Sequence, residues 1–187
     1  MRRGKIHKAK SGNLVGYQAS YGYRYIPKQG DKEGQFVIYE PEAEIVKMIF
    51  HWVADDQYSM RRIIKELYDR KIPPPKGKSE AWRKSTLERM LKRKDYIGIH
   101  YYNKTISVVP KNPHNVGRYK KIKKSSRRMK AQEEWIAIPV PPLIDEDLFD
   151  RARQQIKDNL VYNNRNKKYD YLLSGKVYCL CGIKSVS

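Results

Sequence analysis

Pro41-Glu42-Ala43-Glu44-Ile45-Val46-Lys47-Met48-Ile49-Phe50 opens the stretch, residues 40–94, that decides the fold. The stretch reads as three short helices in a row. The first runs from about Pro41 to Asp55: proline suits a first helical position, and Glu42 and Glu44 meet the positive end of the helix dipole. Ala43, Val46, Phe50 and Val53 recur at helical spacing, with Ile45 and Ile49 widening the apolar face. The second helix starts at Ser59, an N-cap residue, and runs to about Arg70 on a stripe of Met60, Ile63, Ile64 and Leu67. It must end before Pro73-Pro74-Pro75. The third starts at Ser85, where Ser85-Thr86-Leu87-Glu88 has the form of a capping box. Leu87, Met90 and Leu91 give it one apolar edge.

None of these helices is long enough to be stable alone in water, so the three edges should pack on each other. Their charges differ. Glu40, Glu42, Glu44, Asp55 and Asp56 mark the first, whereas Arg83, Lys84, Arg89, Lys92, Arg93 and Lys94 surround the third. A buried edge with a basic outer edge suits a helix-turn-helix that reads the DNA major groove. It also suits an ordinary helical core with a solvated charged face.

Composition narrows the partner. The chain has 187 residues, 40 Lys and Arg against 20 Asp and Glu, and a formal charge of +20, so a polyanion is implied. No apolar run approaches the ~20 residues of a membrane span, no signal peptide is visible, and the best amphipathic helix is acidic. Duplex DNA is the expected partner, with no membrane and no small-molecule substrate, and a cytoplasmic location fits two cysteines without a disulfide framework. A structured-RNA-binding module, also basic, tyrosine-rich and loop-rich, is the alternative.

Outside the helices, residues 1–14 read as a basic arm. Tyr17, Tyr21, Tyr23 and Tyr25 alternate as in a strand, Gly30–Gly34 turns the chain, and Gln35–Tyr39 can return as a partner. Tyr96–Tyr102 and Thr105–Val109 suggest a hairpin about Asn103-Lys104. Lys111–Lys130 contains nine Lys or Arg and no acid, which predicts a mobile loop on phosphates. Trp135–Ile138 is another short strand. Asp145 begins a last helix that runs to about Tyr162, with acids at its start. The predicted class is therefore α+β: a helix-turn-helix-like three-helix core with small antiparallel hairpins and a C-terminal helix. The DNA-contact candidates are Lys78, Arg83, Lys84, Thr86, Arg89, Lys92 and Arg93, with Lys120, Lys121, Lys123, Lys124, Arg127 and Arg128 in the loop. Trp82, just before the third helix, either packs on it or touches DNA.

An ordered set of motifs then reaches a family: Tyr21-Gly22-Tyr23-Arg24, Glu42–Val46 with Ile49-Phe50, Ser59–Leu67, Ile72-Pro73, Trp82, and Leu91 with Asp95-Tyr96-Ile97-Gly98. From about Val15 to Ser174 the chain resembles the recombinase domain of large serine recombinases, the integrases and transposases of phages and conjugative elements. The resemblance implies a basic linker at 1–14 following a catalytic domain absent from this sequence, a DNA-binding domain at 15–165, and the truncated start of a zinc ribbon at 166–187. The family usually has proline where Ser20 stands. Cys179 and Cys181, a candidate remnant of a zinc site, are one residue closer than the family's pair and lack a second pair, so no zinc is expected here, and the resemblance leaves zinc open for the full-length protein. Neither a serine-recombinase catalytic motif nor another enzyme motif is present, so this chain should target DNA at attachment sites and leave strand exchange, and contact between recombinase protomers, to the whole protein.

Overall fold

The computed structural model describes residues 2–15, 18–75, 80–112 and 124–161. Five helices and six short strands follow one another: α1 (Arg2–Lys10), β1 (Tyr23–Ile26), β2 (Gln35–Ile38), α2 (Glu40–Ala54), α3 (Met60–Asp69), α4 (Lys84–Met90), β3 (Ile99–Tyr102), β4 (Thr105–Val108), β5 (Ser126–Met129), β6 (Ile136–Pro139) and α5 (Glu146–Val161). Single 3-10 turns cover Lys94–Ile97 and Gln132–Glu134. The α+β class is as the sequence predicts. The chain divides into two discontinuous units. One comprises the residues up to Lys47 with Lys92–Asp145; the other comprises Met48–Leu91 with the helix from Glu146.

In the first unit all pairing is antiparallel and in two-stranded sheets. β1 and β2 pair from Tyr23 with Ile38 to Ile26 with Gln35, as the alternating tyrosines suggest. Tyr23 faces inward, stacks on Tyr96 at 6.1 Å and lies 6.2 Å from the Phe36 ring. The main chain turns into β1 through Gly22, whose φ is +93° and where a Cβ would come within 3.0 Å of Leu143 Cδ1. A side chain there is thus opposed both by the backbone and by the packing. The Gly22 amide donates to Glu42 Oε2 at the start of α2 (2.9 Å), so the first glutamates of that helix do more than meet its dipole.

The basic segment at 1–14 is helical over Arg2–Lys10, Ala9 and Leu14 are buried, and α1 packs on β6. A nine-residue helix gains its stability from such docking and not from its own propensity. The expected hairpin about Asn103-Lys104 does not form. β3 pairs with β6 and β4 with β5. A two-residue I′ hairpin needs positive φ at both central residues, and only Asn103, at +62°, has it. Ser126–Met129, expected to be loop, is the strand that pairs with β4.

The second unit carries the remaining helical core. Ser59 caps α3 as predicted, its hydroxyl accepting from the Arg62 amide at 3.3 Å. Ile63 and Leu67 of α3 and Leu87 and Met90 of α4 are buried, and the two helices touch. Phe50 of α2 stacks on Phe149 of α5 at 5.9 Å. Arg151 of α5 pairs with Asp147 on its own helix and with Asp55 just beyond α2. Trp82 is buried, and its indole N–H donates to the Ile72 carbonyl at 3.0 Å, which closes the connection from α3 to α4.

Candidate nucleic-acid interface

α4 begins one residue before the capping box the sequence suggests. Its N-cap is Arg83, with no side-chain cap, and Ser85 is already inside the helix. Glu88 therefore pairs with Lys84, at 3.6 Å across one turn, instead of reaching back to a serine. The outward surface of this short helix consists of Arg83, Lys84, Ser85 and Arg89, which are exposed, with Thr86 half-buried beside them. The Arg89 Nε donates to the Ser85 carbonyl at 3.0 Å, which lays the guanidinium along the helix. Arg89 is exposed, and its guanidinium is a planar fork of donors. α3, in the same unit, exposes Arg61, Arg62 and Lys65, with the Arg62 guanidinium 3.7 Å over the Tyr58 ring.

Lys92 and Arg93 were expected on the outer side of the third helix, but α4 ends at Met90 and both lie beyond it, in the first unit. Lys92 is exposed. Arg93 is engaged: its Nη1 donates to Ser20 Oγ at 2.6 Å and stands 3.6 Å from Asp95 Oδ2. The Ser20 hydroxyl in turn donates to Asp95 Oδ2, and His100 Nδ1 faces Asp95 Oδ1 at 3.1 Å. Burial pushes the Asp95 carboxyl upward, but the hydrogen bonds from His100 and Ser20 and the nearby positive charge outweigh it and hold the carboxyl below the usual aspartate value. The Tyr23 hydroxyl lies within reach of the Asp95 and Pro141 carbonyls, at 2.9 and 2.7 Å, and the Tyr96 hydroxyl donates to the Tyr21 carbonyl at 3.1 Å. Burial raises both phenols far above their usual range, so they remain proton donors at all physiological pH.

This cluster joins Tyr21-Gly22-Tyr23 to Asp95-Tyr96-Ile97-Gly98 around one buried carboxylate. It is the feature sequence reasoning missed, although both motifs were visible. A buried aspartate needs partners, but in the sequence Asp95 follows Lys92-Arg93-Lys94 and reads as one more solvated charge.

Three of the remaining candidates lie at the β4–β5 ribbon. Lys124, Arg127 and Arg128 are exposed there. Lys78, Lys120, Lys121, Lys123, Cys179 and Cys181 lie outside the described residues. Among the described residues no group of three or more His, Cys, Asp or Glu side chains is placed to hold a metal ion. Among them, too, no helix is long and apolar enough to cross a membrane.

Comparison with known proteins adds three findings. A family model described as Recombinase matches residues 40–159, from the start of α2 to near the end of α5. A solved structure on the sequence requirements of the Listeria innocua prophage attP site is similar in fold, with a TM-score of 0.56, 19% identity, and coverage of 100% of this chain and 64% of that one. The crystal structure of an LSR–DNA complex is also similar, with a TM-score of 0.54, 17% identity, and coverage of 92% of this chain and 42% of that one. This chain thus spans less than two thirds of either neighbour, and identities this low speak for the fold alone. No curated protein matches. Because the family model covers well over half of the sequence, the chain belongs to the recombinase family, that of the large serine recombinases.

Proposed function

We propose that this chain is a sequence-specific duplex-DNA-binding module, the targeting part of a large serine recombinase that acts at attachment sites of a mobile element. The observation that carries the reading is the recombinase match over residues 40–159, within which α4 turns Arg89 outward beside Arg83 and Lys84. The family neighbours named above include a DNA complex and a structure concerned with a phage attachment site. The net charge of +20 supplies the general attraction to a polyanion. Strand exchange, and the pairing of protomers that it requires, belong to the proposed parent protein.

Arg89 is the proposed base-reading residue of α4, since a guanidinium fork matches the O6 and N7 acceptors of guanine. Arg89→Ala should cost about 1–3 kcal/mol on the preferred duplex and much less on random duplex. The test begins by recovering a preferred duplex from a random pool. Wild type and variant are then titrated against that duplex, a random duplex and a structured RNA at one salt concentration. An equal loss on both duplexes would reduce Arg89 to a phosphate contact, and a preference for the RNA would overturn the DNA reading. Wild-type affinity should also fall steeply with added salt, as phosphate neutralisation demands. A flat salt dependence would contradict it.

A further inference from the structure

β5 lies in a segment expected to be loop, and its pairing with β4 in a ribbon changes what the segment can do. Side chains alternate across a strand, and cross-strand partners share a face. Thr105 pairs with Met129 and Ser107 with Arg127, so these four form one face, and all four are exposed. Ile106, Val108 and Ser126 on the other face are half-buried. The outer face is unusual for a merely solvated surface. Met129 is 56% exposed. Neither strand carries an acid, and this face holds Arg127, while Arg128, which pairs with Ile106, is exposed on the other face. A solvated surface ordinarily mixes both signs. Among the described residues, Arg127 and Arg128 take part in no ion pair, whereas the cations at the base of the ribbon are engaged: Lys130 pairs with Glu134, and the Lys104 ammonium lies 5.7 Å over the Trp135 ring. The ribbon's base is also tied down, by the Lys130 amide donating to the Lys104 carbonyl at 2.9 Å and by the Trp135 indole donating to the Lys130 carbonyl at 3.2 Å.

The geometry points to a second groove-reading element: the outer face of the β4–β5 ribbon enters the major groove of the duplex, with Arg127 on a guanine edge and Met129 and Thr105 against thymine methyl groups. The inference rests on the DNA-targeting reading above and adds to it a reader separate from α4. The dimensions agree. Two paired strands stand about 4.8 Å apart, which a major groove about 12 Å wide accepts and a minor groove about 6 Å wide does not. Four residues extend about 13 Å, the length of about four base pairs. Ribbons of this kind are an established alternative to helices in the groove. A face made only to hold phosphates would gain nothing from Met129, whereas a thymine methyl gives that side chain an apolar partner.

The experiment is selection of bound duplex from a random pool by the full chain, run in parallel for wild type, Arg127→Ala, Arg127→Lys and Arg89→Ala. Wild type should show two separate blocks of base preference. Arg127→Ala should erase one block and leave the other, reducing affinity for the selected duplex by roughly 5- to 150-fold with far less effect on random duplex. Arg127→Lys preserves the charge and the fold but not the planar fork. It should likewise lose the block while keeping random-duplex affinity. Arg89→Ala should erase the other block. If Arg127→Ala lowers all duplexes equally with both blocks intact, or if Arg127→Lys restores wild-type preferences, the ribbon holds phosphates and the inference is overturned, with the targeting reading left standing. If wild type selects no duplex at all, the targeting reading itself fails and the ribbon's role with it.

Discussion

Replacing Trp82 by alanine should destabilise the helical unit by about 3–5 kcal/mol, the range for truncating a large buried aromatic. The indole is 3% exposed, and its N–H holds the Ile72 carbonyl. Both the cavity and the freed carbonyl therefore add to the cost. Trp82→Phe retains much of the apolar area and loses the hydrogen bond and part of the indole volume, so it should cost less, about 1–3 kcal/mol. Urea unfolding followed by circular dichroism measures both. DNA affinity should decline in step with the folded fraction. A stably folded Trp82→Ala with collapsed affinity would instead make the indole a contact residue, the alternative the sequence leaves open.

The second large effect is at Asp95. Asp95→Ala removes the acceptor shared by Ser20, His100 and Arg93 and should cost about 2–3 kcal/mol at neutral pH, since charge-assisted bonds are about twice as strong as neutral ones. The pH dependence identifies the cause. The folded carboxyl titrates below its unfolded value, so its stabilisation is fully present above the unfolded aspartate value near about 3.9. It is lost as pH falls through the lower, folded value. The stability gap between wild type and Asp95→Asn should thus stay level from neutral pH down to about pH 5 and close only below about pH 4. A gap already closing at pH 6 would place the controlling titration elsewhere.

The helices α2 to α5 were legible because their signals are local, whereas α1 was not. Ser59 caps α3, the 41–53 periodicity buries Ala43, Val46, Ile49, Phe50 and Val53, and the acids after Asp145 start α5. The first hairpin was legible for the same reason, since turn and partner strand lie close in sequence. What failed was non-local. β3 and β4 are neighbours in the chain and looked like mutual partners, yet each takes a strand from beyond residue 125. No local pattern states that choice, although Lys104 lacks the positive φ that a two-residue I′ turn requires. The one-residue shift in the start of α4 is of the same kind: Ser85 has the chemistry of a cap, but burial of Leu87 and Met90 fixes where the helix begins. Of the candidate site, Arg83, Lys84 and Arg89 fall on exposed positions of or next to α4 as the sequence suggests, while Arg93 is held by Ser20, 73 residues away in the sequence, a contact that periodicity cannot sense.

Ser20 stands where the family resemblance leads one to expect proline, and its hydroxyl is the link between Arg93 and Asp95. A proline side chain neither donates nor accepts, so a relative with proline there would leave the guanidinium with the carboxylate alone, and more open to solvent. Positions 20 and 93 should therefore drift as a pair across lineages, serine with arginine and proline with a freer choice. A substitution at 20 would then alter which changes at 93 evolution tolerates, with no alteration at the DNA surface.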